Sequence, residues 1–103
     1  MNEFNNSIII YQPNTDQPAI DVRIEGETVW LNQRQMSVLF NTSSDNVGLH
    51  LKNIYAEREL LEEATTEDFS VVRQEGNRQV RRSVRHYNLD AIISVGYRVK
   101  SAT

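Results

Sequence analysis

The sequence predicts an α+β fold, a winged helix-turn-helix with an N-terminal antiparallel β-meander and a C-terminal helix. Three observations lead there. The stretch Trp30–Ile54 reads as two short helices joined by a tight turn. Two β-rich segments around Gly76-Asn77 read as a hairpin crowded with arginine. Three short β-rich segments precede both.

In chain order, residues 1–7 are polar and expected to be disordered, leaving 8–103 as the domain. Ile8–Tyr11 is β-branched and aromatic, a short strand. Residues Pro13–Pro18 form a loop. Ile20–Ile24 alternates apolar and polar, which predicts a half-buried strand. Glu25-Gly26 is a turn, and Thr28–Leu31 is a third strand, with Trp30 expected to plug the core where sheet meets helix.

In the helical pair, Leu31, Gln35/Met36 and Leu39/Phe40 recur at helical spacing, and Asn32 with Gln35 makes a capping box. Asn41 tolerates the left-handed backbone that ends a helix, and Ser43 or Ser44 can cap the next one. Val47, Leu51 and Ile54 then form one buried stripe. This second helix is expected to continue to Arg58 or Leu61, and the acidic run Glu57–Glu63 to be a solvated helix end and loop. Pairing Gln74 with Gln79 across the hairpin puts Phe69, Val71, Val80 and Val84 on one face, mixed with Arg73 and Arg82. Ser70, Val72, Gln74, Arg81, Ser83 and Arg85 fall on the other. Asn88 caps a last helix whose apolar side is drawn from Leu89, Ile92/Ile93 and Gly96 or Tyr97. Its abrupt stop, with no cap and no tail, reads as that of a fragment of something longer.

Composition narrows the function classes. The chain has 103 residues, no Cys and a net charge of −3. No disulfide or thiolate chemistry is available, which suits a reducing, cytoplasmic setting. The start carries no signal peptide, and no apolar run spans a membrane. His50 and His86 lie far apart, and no metal, cofactor or phosphate-loop motif is present, so the chain is expected not to be an enzyme. Charge is segregated. Residues 1–72 hold four basic side chains against twelve acidic ones, whereas 73–103 hold seven against two. That is the signature of a basic patch on an acidic domain.

A helix, a three-residue turn and a capped helix form the arrangement whose second helix enters the major groove. On that reading the helix from Ser43 to Asn53 presents Ser44, Asp45, Asn46, Leu49, His50 and Asn53 outward. Asn46 is the best base reader, because its amide can pair with adenine. Thr42, Ser43 and Lys52 would hold phosphates, and the hairpin would act as a wing through Arg78, Arg81 and Arg85. The expected partner is double-stranded DNA, with a homodimer left open and no membrane or small-molecule substrate. The competing readings are an ordinary αα-corner, an edge hairpin that keeps Arg outward against aggregation, and a protein-interaction module using the same scaffold.

Leu31–Ile54, the run Y-N-L-D-A-I-I-S-V-G-Y-R-V (Tyr87–Val99), Ile8–Gln12 and Val22–Leu31 together resemble the RhuM family of bacterial virulence-associated proteins. The resemblance implies an antirepressor-like DNA-binding module at the N-terminus of a longer chain. The family tends to have Gly where Asn41 stands and Lys-Gln where Ser44-Asp45 stand. Asp45 would repel phosphate, although it can accept from cytosine.

Overall fold

The computed structural model describes residues 7–12, 15–16, 18–26 and 28–101. The elements are β1 (Ser7–Tyr11), β2 (Ile20–Glu25), β3 (Thr28–Asn32), α1 (Gln33–Leu39), α2 (Ser44–Ala56), α3 (Glu62–Thr65), β4 (Thr66–Glu75), β5 (Arg78–Tyr87) and α4 (Leu89–Ser101). The fold is α+β, with one five-stranded antiparallel sheet in the order β1-β2-β3-β5-β4. Ser7 belongs to β1, contrary to the disorder expected of it. Residues 1–6, and 13, 14 and 17 of the expected loop, lie outside the described residues.

The meander is not a separate unit. β3 pairs with β5 through Leu31↔Tyr87 and Asn32↔His86, which joins the first three strands to the hairpin. Alternation along β2 and β3 turns Ile20, Val22, Val29 and Leu31 toward the helices. Met36 of α1, Val47, Leu51 and Ile54 of α2, and Ile92 and Val95 of α4 complete that core. Each such side chain contributes about 1.5–3 kcal/mol by leaving water. Trp30 takes the alternate position and lies half-buried on the reverse face, not in the core. Its ring meets Phe69 edge-on at 5.6 Å, and its indole N–H donates to the Glu25 carbonyl at 3.2 Å. The size of the side chain suggested the core; the period of the strand decided otherwise.

Both junctions of the helical pair are capped as the residues demand. Asn32 Oδ1 accepts the Gln35 N–H at 2.8 Å, and Gln35 Oε1 accepts the Asn32 N–H at 2.8 Å. At the other end of α1, Asn41 takes φ 55°. Its N–H reaches Val38 and that of Thr42 reaches Ser37, the paired bonds of a Schellman stop. The end of α2 repeats this motif with Arg58 at φ 60°, and the N–H groups of Arg58 and Glu59 reach Tyr55 and Ile54. The helix therefore ends at Ala56 rather than continuing to Arg58 or Leu61. A left-handed arginine costs roughly 1–2 kcal/mol, against which stand the paired backbone bonds of the stop.

The acidic run beyond α2 is largely exposed, as expected of a solvated helix end and loop, and two of its carboxylates reach across to α4. Glu57 and Glu59 each meet the Arg98 guanidinium at 2.7 Å, and Glu59 also accepts the Ser94 hydroxyl. These bonds keep the Glu59 carboxyl below its ordinary pKa, the Ser94 hydrogen bond first and Arg98 second. In α4 the buried side is Ala91, Ile92, Ser94 and Val95. Leu89, Ile93 and Tyr97 are exposed, Tyr97 by 74%. Gly96 faces Phe40 of α1.

Candidate nucleic-acid interface

The hairpin has the predicted register, Gln74 with Gln79 and Glu75 with Arg78, and Gly76 turns the chain at φ 64°. It runs longer than its apolar core, from Thr66 to Tyr87. Phe69, Val71, Val80 and Val84 are half-buried on one face, while Ser70, Val72, Gln74, Gln79, Arg81, Ser83 and Arg85 are exposed on the other. Behind the half-buried face, Arg23 stacks 4.4 Å above Phe69, and Phe69 meets the His86 ring edge-on at 5.1 Å. His86 is buried and makes a 2.9 Å bond to the Val84 carbonyl through Nδ1. A carbonyl only accepts, so Nδ1 carries the proton. Burial pushes the imidazole below its ordinary pKa.

The arginines of the hairpin divide into two sets. Arg82 is clamped by Glu75 at 2.8 and 3.1 Å, and Arg85 is held by Glu62 at 2.7 Å and Asp68 at 3.4 Å. Arg73, Arg78 and Arg81 are exposed and make no ion pair among the described residues. Arg85, expected to serve as a wing cation, has its charge offset by two carboxylates. Arg78 and Arg81 do not.

The expected contact residues on α2 are likewise divided. Ser43 is exposed, and its hydroxyl caps the helix by accepting the Asn46 N–H at 3.0 Å. Thr42 is half-buried, and its hydroxyl accepts from the Asn46 side-chain amide at 2.9 Å. Asn46 is therefore half-buried and engaged at the turn. Ser44 is half-buried, and its carbonyl accepts from the Gln33 amide at 2.7 Å. His50 is half-buried, with Nε2 sealed from solvent and without a hydrogen-bond partner among the described residues. Asn53 is half-buried too, and Lys52 is exposed with no ion pair among the described residues. The buried stripe Val47, Leu51 and Ile54 fixes the opposite face as Asp45, Leu49 and Lys52, all exposed. His50 and Asn53 stand on its flank, so the outward face is narrower than expected.

Two cations not assigned to the site by sequence are brought to it by the fold. Arg34 on α1 and Arg73 on β4 line one open hollow of about 360 Å³, together with Ser44 at the start of α2 and Arg85 on β5. They lie 39 positions apart, and no periodicity signals their meeting.

Residues 64–103, which hold the hairpin and α4, match the model of the Virulence protein RhuM family. The match does not extend over Leu31–Ile54. No curated protein and no solved structure matches the chain. Among the described residues, no helix is long and apolar enough to cross a membrane.

Proposed function

We propose that the chain is a DNA-binding module of winged helix-turn-helix form, in which α2 enters the major groove and the β4–β5 hairpin is the wing. The connectivity supports the reading: in a winged helix-turn-helix, the strand before the helical pair joins the second strand of the wing, as β3 joins β5 here. The observation that carries it is the set Arg73, Arg78 and Arg81, exposed and without ion pairs among the described residues in a chain of net charge −3. Arg73 and Arg78 stand on one face of the hairpin and Arg81 on the other, and like charges on one hairpin repel each other, so folding gains nothing from them. Phosphates would gain, since each neutralised phosphate releases a condensed counterion.

The test is a fluorescence-anisotropy titration of duplex DNA over a salt series. Wild-type binding should weaken steeply as salt rises. Arg78→Gln with Arg81→Gln should lower affinity equally on all sequences and reduce the log–log slope by about 1.8, near 0.9 for each phosphate no longer neutralised. Absence of any salt-dependent binding at low salt defeats the reading. A second reading then takes its place, a protein-interaction module, and the observation favouring it is the exposed stripe Leu89, Ile93 and Tyr97 on α4.

A further inference from the structure

We infer that the hollow between α1, the start of α2 and the hairpin is a phosphate seat, in which Arg34 and Arg73 close on one phosphate oxyanion. The inference rests on the DNA reading for the source of that phosphate, a phosphodiester of the backbone, but not for the chemistry of the seat.

Three features of the hollow point to an anion. Three of its lining residues are arginines, Arg34, Arg73 and Arg85, and none is acidic. Arg85 brings its own acids, Glu62 and Asp68, but neither lines the hollow. Arg34 and Arg73 make no ion pair among the described residues, so their charges are uncompensated there. Neutral donors complete the lining. Gln33 keeps its amide on the Ser44 carbonyl, and Asn32 and Tyr87 stand beside it.

Arg34 and Arg73 also line a neighbouring hollow of about 640 Å³, but Asp21 is part of that wall. An anion would be repelled there and drawn to the acid-free side. A guanidinium presents parallel N–H groups that match two phosphate oxygens, so two such forks on one phosphate give orientation as well as charge. The place of the seat makes it more than a sticky surface. It joins α1, α2 and the hairpin, so a phosphate held there would set the angle between the recognition helix and the wing.

One phosphate shared by two arginines has a signature that two separate phosphates lack. Arg34→Gln with Arg73→Gln should reduce the log–log salt slope by about 0.9, not about 1.8, and either single change should produce most of the double's loss. Affinity should fall equally on all sequences. Both side chains are exposed, so the thermal midpoint should hold. Should the Gln variant unfold, Arg34→Lys with Arg73→Lys keeps both charges and removes the forks, and it should lose affinity while keeping the slope. In parallel, the arginine Nε–H signals are followed by NMR during titration with mixed-sequence duplex and with sodium phosphate.

Shifts at Arg34 and Arg73 with both probes, together with the smaller slope, support the seat. Wild-type DNA binding that survives the double change with the same affinity and slope overturns the seat and leaves the DNA reading standing. No DNA binding, but phosphate shifts at Arg34 and Arg73 that vanish in the variant, overturns the DNA reading and keeps the seat, with free phosphate as its ligand. No response to either probe overturns both.

Discussion

Gly96→Ala tests how α4 is docked on the helical pair. A Cβ added at Gly96 would stand 2.7 Å from Cε1 and 2.8 Å from Cζ of Phe40. Ordinary carbon contacts lie near 3.5–4.0 Å, so the overlap is close to an ångström. The backbone beneath the ring is fixed, so relief can come only from rotation of the Phe40 side chain. Phe40 is the C-cap of α1, its N–H is bound to Met36 at 2.9 Å, and the next residue is locked left-handed. Overpacking of this kind costs about 1–3 kcal/mol. Against it stands the helix preference for Ala over Gly, about 0.8–1.0 kcal/mol. The net expectation is a loss of about 1 kcal/mol, read as a lower urea midpoint at unchanged slope. In a Phe40→Leu background the clash is gone, and the same change should become stabilising. If Gly96→Ala stabilises the wild-type chain by the full helix preference, the ring swings aside freely and the close approach carries no energy.

Other outcomes follow from the same structure. Leu51 is 4% exposed in the core, so Leu51→Ala should cost about 2–5 kcal/mol in denaturant unfolding, and a loss under about half a kcal/mol would mean α2 is phased differently. If Asn46 exchanges its Thr42 bond for a base edge on DNA, Asn46→Ala should weaken a preferred site by about 1–3 kcal/mol and leave random DNA nearly unchanged; equal losses would make it a structural residue of the turn. His86 is held neutral by burial below its ordinary value of 6.5. Its unfolded form therefore takes up protons first, so stability should be full above about pH 6.5 and fall as pH drops below it. Urea melts of wild type and His86→Gln across that window should diverge; parallel curves would show that another group titrates. A second loss should open below the ordinary Glu59 value of 4.5, where protonation releases Ser94 and Arg98, and Glu59→Gln should remove it.

What the sequence made legible was whatever depends on near neighbours. Asn32 with Gln35, Asn41 at the turn and Ser43 before α2 are short-range bonds whose donors and acceptors lie within a few residues. The hairpin register followed from one two-residue turn, because a period of two leaves no freedom once Gln74 is paired with Gln79. Long-range partners were not legible. Nothing near Leu31 says that it pairs with Tyr87, and nothing in Glu57–Glu63 says that Arg98 waits on α4. Arg58 was unreadable because it takes the left-handed position of a helix stop that Gly or Asn usually fills. In α4 the adjacent Ile92 and Ile93 were equivalent to any pattern, and only packing on α2 decided that Ile92 goes in. For the site, charge counting found the hairpin, but only the fold separates the arginines already engaged by carboxylates from those left uncompensated.

That separation bears on how the proposed module would divide its labour. The outward stripe of α2 is Asp45, Leu49 and Lys52, whose charges cancel. A helix with no net charge gains little from the duplex as a polyanion, so it would add little to non-specific affinity. Each of its side chains does have a partner among base edges: a carboxylate accepts from cytosine N4, an apolar chain meets the thymine methyl, and an ammonium reaches guanine O6 and N7. Four further cations without an ion pair among the described residues lie on α1 and the hairpin, at Arg34, Arg73, Arg78 and Arg81. Under the DNA reading, binding strength would then come from the flanks and discrimination from α2. Asp45 is tolerable in such a scheme only if the flanking arginines set the helix deep enough for its carboxylate to face bases rather than phosphates. The position of the Arg34–Arg73 seat, against the first residue of α2, is where a fold would place that control.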